Sequence, residues 1–561
     1  MSTISPDLLR AARKWHDQDP DPETQGELAR LLHEQESGSA EAADRLGGLF
    51  SARLTFGTAG IRGPLQPGPA GMNRVVVGQT TAGLAQFLLG SRQESTDAPL
   101  RVVVGCDARH NSAVFADDTA AILAGYGLEA VILPKELPTP VLAYAVRELE
   151  ADAGVMVTAS HNPPRDNGYK VYLGGPDEGS QIIPPVDSAI EALISEVAKT
   201  IAWSDIPRNQ DAVVPAPDDI VDRYVEATVS SVAPDTSGAS SATVVYTAMH
   251  GVGANTFYET VAAAGFPAVI PVAEQCEPDP DFPTVSFPNP EEKGALDLSF
   301  ETAQRVGAAA IIAHDPDADR LAVALPVDGG FQALTGNQVG AILGWYCAER
   351  AQNSGQKGAL ANSLVSSPVL GKIATHFGLK HEETLTGFKY VSRVNNLIFG
   401  FEEALGYLVT PDVVRDKDGV SAGVMILDLV HSLAAESATL WDYLAKIETT
   451  VGGFASSQIT ITLNNDASQT PLPEKLRNNP PQGIGPQGIA RAEDFLTGVE
   501  GFPPENILRY YLDDGSRIIV RPSGTEPKLK VYLDTQGVTR ATAEAALVTL
   551  ERDMRALIES L

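Results

Sequence analysis

Short apolar runs, many of them β-branched, recur along the chain and alternate with stretches whose apolar positions return every three or four residues. Residues 101–106 (RVVVGC) are such a run, residues 112–126 carry helical spacing, and residues 128–133 and 153–157 (AGVMV) are further predicted strands running into polar loops. After an acidic, proline-bearing stretch near residues 205–219 the pattern restarts. Residues 242–247 (ATVVYT) predict a strand, followed by the loop His250-Gly251-Val252-Gly253 and a helix, and residues 308–313 (AAAIIA) lead into another polar loop. A third round begins near Phe331, with a helix over 337–350, a strand near Leu360 and a helix over 368–377. Strands alternating with helices of this length predict parallel or mixed sheets with helices on both faces. The last part differs. Residues 464–489, rich in Pro, Gly and Asn, read as a loop. Beyond them 507–512, 517–520 and 528–533 read as short adjacent strands and 541–561 as an amphipathic helix, an α+β arrangement. Up to about Ser51 two helices, 6–15 and 24–35, form an N-terminal extension.

A length of 561 residues predicts about three or four domains. With 43% hydrophobic and 20% charged residues the chain is an ordinary cored globular protein. The formal net charge of −31 argues against nucleic acid and anionic membranes as partners. A site for an anionic metabolite must therefore gather its own cations. The three cysteines, Cys106, Cys276 and Cys347, lie far apart with no metal-ligand spacing, and read as inert thiols in a reducing compartment. The N-terminus does not have the charged-then-apolar form of an export signal, and no apolar run approaches the ~20 residues of a membrane helix. A cytoplasmic location is expected.

Four loops carry candidate chemistry. Thr158-Ala159-Ser160-His161-Asn162-Pro163-Pro164 follows the strand AGVMV, with Lys170 a few residues on. A serine nucleophile needs a way to lose its proton and cations for the phosphate it accepts, and His161 and Lys170 are candidates for both. A simple turn cap would also explain a Ser-His pair. Asp315-Pro316-Asp317-Ala318-Asp319-Arg320 places three carboxylates at alternate positions directly after AAAIIA. Like charges there repel unless a cation holds them, which favours a hard metal ion over a solvated acidic turn. Gly400-Phe401-Glu402-Glu403-Ala404-Leu405-Gly406-Tyr407 offers paired carboxylates for sugar hydroxyls, or else a helix N-terminus. Arg521-Pro522-Ser523-Gly524-Thr525-Glu526-Pro527-Lys528 is a cationic, hydroxyl-bearing phosphate cradle in an otherwise acidic protein. Two glycine-containing stretches, 55–63 ending near Arg62 and 386–389 ending in Lys389, add cations.

Laid end to end, TFGTAGIRG, TASHNPP, DPDADR, GFEEALGY and RPSGTEP resemble the α-D-phosphohexomutase superfamily of phosphoglucomutases and phosphomannomutases, in that family's order from about Thr55 to Tyr532. The resemblance implies an α/β fold of three related mixed domains around a central cleft plus a C-terminal α+β domain. The expected domains are 1–205 (extension and phosphoserine loop), 206–327 (metal loop), 328–455 (sugar loop) and 456–561 (phosphate-binding domain). It also implies a mutase that interconverts hexose 1-phosphate and hexose 6-phosphate through phosphorylated Ser160. The implied cofactors are one Mg²⁺ per chain, held by Asp315, Asp317, Asp319 and a phospho-Ser160 oxygen, and a sugar 1,6-bisphosphate as activator. The match gives Lys170 as acid/base with His161 as helper, and puts Arg62 and Arg320 near the transferring phosphoryl group. Glu402 and Glu403 align with the sugar loop, Lys389 with an active-site cation, and Arg521, Ser523, Gly524 and Thr525 with the loop holding the non-reacting phosphate. A monomer or homodimer is expected.

Ala404 stands where many relatives have serine. With residues 414–419 (VRDKDG) the loop looks more like the phosphoglucomutase-2 type, a branch that includes phosphopentomutases and enzymes making glucose 1,6-bisphosphate. An aspartyl-phosphate phosphatase and a non-catalytic phosphosugar sensor are the rival readings.

Overall fold

Parallel strands with buried, β-branched faces form the centre of the first sheet. In the computed structural model, which describes residues 4–57, 60–91, 98–236, 242–462, 471–522 and 528–561, Arg101–Cys106 pairs in parallel with Glu129–Ile132 on one side and Ala153–Val157 on the other. Beyond Ala153–Val157 the sheet turns antiparallel, through Asp166–Leu173 to Gly60–Pro64. A second mixed sheet has the order Gly330–Ala333, Leu321–Val327, Ala310–His314, Val244–Thr247, Ile270–Pro271. Both sheets, with the helix Gly419–Ala435, belong to one of two compact units, Met1–Ala333 with Gly406–Ala435.

The N-terminal extension consists of three helices, Pro6–Gln18, Pro22–Glu36 and Ala40–Phe50. Each starts at a side-chain cap, from Ser5, Asp21 and Ser39. Their apolar faces, including Trp15, Leu28 and Leu46, share one core with Val75 and Trp203. The third helix was not expected, because its GlyGly pair weakens the helical pattern and only the Ser39 cap signals it. Helix Arg74–Ser91 also went unread. Most of its residues are buried all round, so it shows no polar stripe.

The other unit is Leu334–Leu405 with Glu436–Leu561. Its parallel strands Lys380–Thr384, Ala359–Ser363 and Leu397–Glu402 are accompanied by helices Gly336–Ser354 and Val369–Phe377. A six-stranded antiparallel sheet follows, with helix Arg540–Ser560 packed on Gly453–Thr462 and Lys528–Gly537. The loop expected over 464–489 needs correction. Its part within the described residues forms helix Leu472–Asn478 and the strands Gly483–Ile484 and Gln487–Asp494. Pro473 sits in the first turn of that helix, where no N–H is missed, and Gly485 (φ 56°) turns a tight hairpin. Proline and glycine here punctuate short elements.

Arg517, among the largest fully buried side chains, joins the antiparallel sheet to the parallel one. Its guanidinium donates to Asp534 Oδ2 (2.7 Å), to Glu383 Oε1 (3.2 Å) and to the Ser366 carbonyl. Removing one partner of a buried ion pair costs about 3–5 kcal/mol, because the other charge stays buried. Arg517→Ala is therefore expected to lower the stability of this unit by about that much, read from urea unfolding. The double variant Arg517→Met/Asp534→Leu should recover most of the loss. A loss below about 1 kcal/mol in the single variant would contradict this account of the joint.

Burial pushes the Cys106 thiol up to about 11 and the Cys347 thiol up to about 12, so both are unreactive near neutrality. Among the described residues no single helix is long and apolar enough to cross a membrane.

Candidate active site

His314 pairs opposite Leu321, so residues 315–320 form the loop of a β-hairpin between Ala310–His314 and Leu321–Val327. Alternate positions of so short a loop face the same way. One carboxylate oxygen from each of Asp315, Asp317 and Asp319 lies within 4.8 Å of the others, and all three side chains are buried. The backbone is turned by Ala318 at φ 53°, and Asp315 Oδ1 accepts the Arg320 N–H (3.0 Å). Two glycines press against the loop from outside. A Cβ on Gly251 would lie 2.3 Å from Pro316 backbone, and one on Gly419 would lie 2.4 Å from the Arg320 carbonyl oxygen.

The Ser160 loop reaches this cluster from the first sheet. Strand Ala153–Val157 ends, the Thr158 hydroxyl accepts the Ser160 N–H (2.8 Å), and Ser160 takes a left-handed backbone at φ 52°. Ser160 Oγ then donates to Asp315 Oδ2 at 2.7 Å, with His161 Nδ1 3.3 Å away. Lys170, on the neighbouring antiparallel strand, donates from Nζ to Asp317 Oδ2 (2.7 Å) and Asp319 Oδ2 (2.9 Å). The strand Gly60–Pro64 pairs Gly60 with Lys170 and Arg62 with Gly168, which brings Arg62 to the same end of the sheet.

Two residues of this cluster were not singled out from the sequence. Lys417 is buried with Nζ 3.2 Å from Asp319 Oδ2. Thr139, at the start of helix Thr139–Glu148, donates its hydroxyl to Asp317 Oδ2 (2.6 Å) and its N–H to the Asp317 carbonyl (2.9 Å). The charges in RDKDG were the one available signal for Lys417, and Thr139 had none.

Electrostatics divides the three carboxyls. Burial, with repulsion from Asp317 and Asp319, pushes Asp315 well above the carboxylate range. Burial and Asp319 act on Asp317 in the same direction, but Lys170 and the Thr139 hydroxyl outweigh them and hold it below its usual value. Asp319 is also held low, as Lys170, Lys417 and Arg320 overcome its burial. Lys170 is raised in turn. Burial works against its charge, and the two aspartates more than restore it. His161 is pushed well below the usual histidine value by burial and by Arg320 and Arg62, so its ring is neutral near pH 7.

Do these residues fit a metal? Asp317 Oδ1 and Asp319 Oδ1 are buried and accept no hydrogen bond among the described residues. Unsatisfied carboxylate oxygens in a cluster where each aspartate brings one oxygen within 4.8 Å of the others are the donors a hard divalent cation takes. They fit.

The remaining expected site residues lie in the other unit. Glu402 ends strand Leu397–Glu402, and residues 403–405 form a turn, so the helix N-terminus left open by the sequence does not form. The two glutamates are not equivalent. Glu403 Oε2 accepts from the Ser363 and Ser366 hydroxyls (3.2 and 3.0 Å), and its N–H donates to Ser366 Oγ (3.0 Å). These serines brace Glu403 within its own domain. Lys389 is buried on the short helix Phe388–Val391, with Nζ 5.0 Å from the Tyr390 ring centroid. Arg521 stands near the end of strand Arg517–Pro522. Ser523, Gly524 and Thr525 lie outside the described residues.

A serine hydroxyl against three buried carboxylates, with lysines and arginines gathered around them, marks a phosphoryl-transfer enzyme. The family models described as phosphoglucomutase/phosphomannomutase alpha/beta/alpha domains I, II and III and C-terminal domain match residues 53–200, 222–328, 335–449 and 476–549. The chain belongs to the phosphoglucomutase/phosphomannomutase family of the α-D-phosphohexomutase superfamily, and so is an intramolecular phosphotransferase acting on phosphosugars. It is 49% identical over 489 residues to a probable phosphomannomutase of Haemophilus influenzae, covering 87% of this chain and 98% of that one. It is 35% identical over 529 residues to human phosphopentomutase, covering 86% and 85%. A solved phosphoglucomutase/phosphomannomutase family protein from Burkholderia thailandensis shares the fold, with a TM-score of 0.66 at 19% identity over 90% of this chain and 97% of that one.

Proposed function

We propose that the enzyme interconverts hexose 1-phosphate and hexose 6-phosphate, with mannose and glucose as its sugars, by passing a phosphoryl group through Ser160. The observation that carries this reading is the 2.7 Å contact of Ser160 Oγ with Asp315, inside a cluster that Lys170 also enters. Ser160 is buried and presents its hydroxyl to the carboxylates from a strained left-handed turn, whereas the other hydroxyl described at the cluster, that of Thr139, is bonded to Asp317.

Each half-reaction exchanges one ester for another. The bond from phosphorus to Ser160 Oγ breaks as a bond to the sugar hydroxyl oxygen forms. The hydroxyl proton passes to a base, neutral His161, or Lys170 once it has released the proton that Asp317 and Asp319 hold on it, and ends on Ser160 Oγ. The bisphosphorylated sugar then presents its other phosphate, and the same steps run in reverse. A sugar 1,6-bisphosphate loads Ser160 for the first turnover. Asp315, Asp317 and Asp319, with an oxygen of phosphorylated Ser160, would hold Mg²⁺, which when bound neutralises phosphoryl oxygens and weakens the carboxylates' grip on the Lys170 proton. Arg62 and Arg320 face the same anion. Glu402 supplies acceptors for sugar hydroxyls, and Arg521 with Ser523, Gly524 and Thr525 holds the phosphate that does not react.

The 35% identity to a phosphopentomutase and the alanine at position 404 favour a second reading, a pentose phosphate as substrate. Side-by-side assays with glucose 1-phosphate, mannose 1-phosphate and ribose 1-phosphate, each with Mg²⁺ and a bisphosphate primer, separate the two. The proposal expects kcat/KM to be higher for both hexose phosphates than for the pentose phosphate, and excess chelator to abolish all turnover. A preference for ribose 1-phosphate overturns the sugar assignment. Turnover unaffected by chelator overturns the metal assignment.

A further inference from the structure

Arg109 lies in the loop between strand Arg101–Cys106 and helix Ser112–Gly125, outside every motif of the candidate loops. Cys106 pairs in parallel with Val157, so the loops that leave these two strands emerge side by side. The Arg109 guanidinium fills the hollow of the Ser160 loop and donates to four of its carbonyls. Nη2 reaches Ser160 O and Asn162 O, each at 2.6 Å, and Nη1 reaches Pro163 O (2.8 Å) and Asp166 O (3.1 Å). The side chain is almost wholly buried, and its charge is balanced by Asp107 Oδ2, 3.5 Å from Nε. Asp107 is fixed in turn by the Arg109 N–H (3.0 Å) and the Ser112 hydroxyl (2.6 Å), and Asn167 Nδ2 donates to that same hydroxyl (3.0 Å). Phe282 covers the guanidinium, with Cζ 5.0 Å from the ring centroid.

We infer that Arg109 is the positioning residue of the nucleophile: one guanidinium sets the curvature of the Ser160 loop and so the direction of Ser160 Oγ. The inference rests on Ser160 being the phosphoryl carrier. The physical reasons are two. A serine at φ 52° is strained, and the strain persists only where the surroundings over-determine the backbone, which four charge-assisted hydrogen bonds do. Carbonyls drawn towards Arg109 also turn the negative ends of four peptide dipoles onto a cation, where otherwise one or more could face the dianionic phosphate. Among the described residues Arg109 makes no hydrogen bond to the Ser160 hydroxyl or to Asp315, Asp317 or Asp319; its hydrogen bonds act on the loop, and it reaches Asp317 and His161 only through its charge.

Lysine keeps the charge at this position, but one ammonium with three donors cannot serve four carbonyls spread over seven residues. The test follows the transfer of phosphate from glucose 1,6-bisphosphate to the parent, R109K and R109A by intact mass, with steady-state kinetics alongside. Misplacing a reacting group by about 1 Å costs about 100-fold, and that loss is expected in the rate of Ser160 phosphorylation and in kcat of R109K, with KM changed less than about threefold. Guanidinium ion, well below denaturing concentrations, should restore much of the R109A rate, whereas tetramethylammonium should not. If R109A does not fold, R109K decides. A folded variant of either kind that phosphorylates at the parent rate overturns the inference, as does a loss confined to KM or a folded R109A that guanidinium leaves unrescued. A parent that takes no phosphate on Ser160 overturns the carrier assignment instead, and the two failures are thereby told apart.

Discussion

Replacing Ser160 by alanine is expected to lower mutase turnover on the order of 10⁴-fold or more, while the protein stays folded. The size follows from covalent catalysis. Without the hydroxyl there is no ester to donate, and among the described residues the neighbouring hydroxyls are engaged: Thr158 caps the Ser160 N–H, and Thr139 is bonded to Asp317. The fold should tolerate the change, because the lost hydrogen bond to Asp315 goes to a carboxyl that burial and its neighbours already drive towards the protonated form. Steady-state assays with a bisphosphate primer read the effect. Activity within about tenfold of the parent would remove Ser160 from the mechanism.

Asp317→Asn is expected to give the second largest loss, about 10³-fold in kcat, equivalent to several kcal/mol of charge stabilisation at the transferring phosphoryl group. Its effect on stability should run the same way. Against burial and the repulsion of Asp319, Lys170 at 2.7 Å and the Thr139 hydroxyl hold the Asp317 carboxylate below its usual range, so the ionised group stabilises the metal-free fold and the amide loses that net gain. The metal-free variant should therefore unfold earlier than the metal-free parent. Metal separates them further. A ligand that binds only the folded state at 100 times its Kd adds about 2.7 kcal/mol, so saturating Mg²⁺ should raise the melting temperature of the parent by several degrees and leave that of the variant nearly unmoved. An equal rise in both would mean that the ion binds elsewhere.

The chemistry of this protein was legible because each functional loop is marked locally. Ser160 and Asp315, Asp317 and Asp319 each sit where a buried apolar strand stops and a run of polar, proline- or glycine-bearing residues begins. Strand and helix alternation likewise announced the mixed sheets. What stayed hidden depends on contacts distant in sequence. Thr139 meets Asp317 across 178 residues, and Arg109 meets the Ser160 carbonyl across 51, with no local periodicity to report either. Helix Arg74–Ser91 escaped because burial on every side erases the stripe by which surface helices are read. Residues 472–489 read as a loop because proline in a first helical turn and glycine in a tight hairpin resemble loop punctuation when their partners are unknown. Glu403 shows the complementary limit: composition placed two carboxylates in one turn, but only coordinates reveal that Ser363 and Ser366 brace one of them.

Peptide mapping of the parent after incubation with glucose 1,6-bisphosphate asks most directly whether Ser160 carries the phosphoryl group. The expected product holds one phosphate, located on Ser160, stable to hydroxylamine and lost when glucose 1-phosphate is supplied. A hydroxylamine-labile phosphate on Asp315, or no phosphate in an enzyme that still turns over, would contradict it.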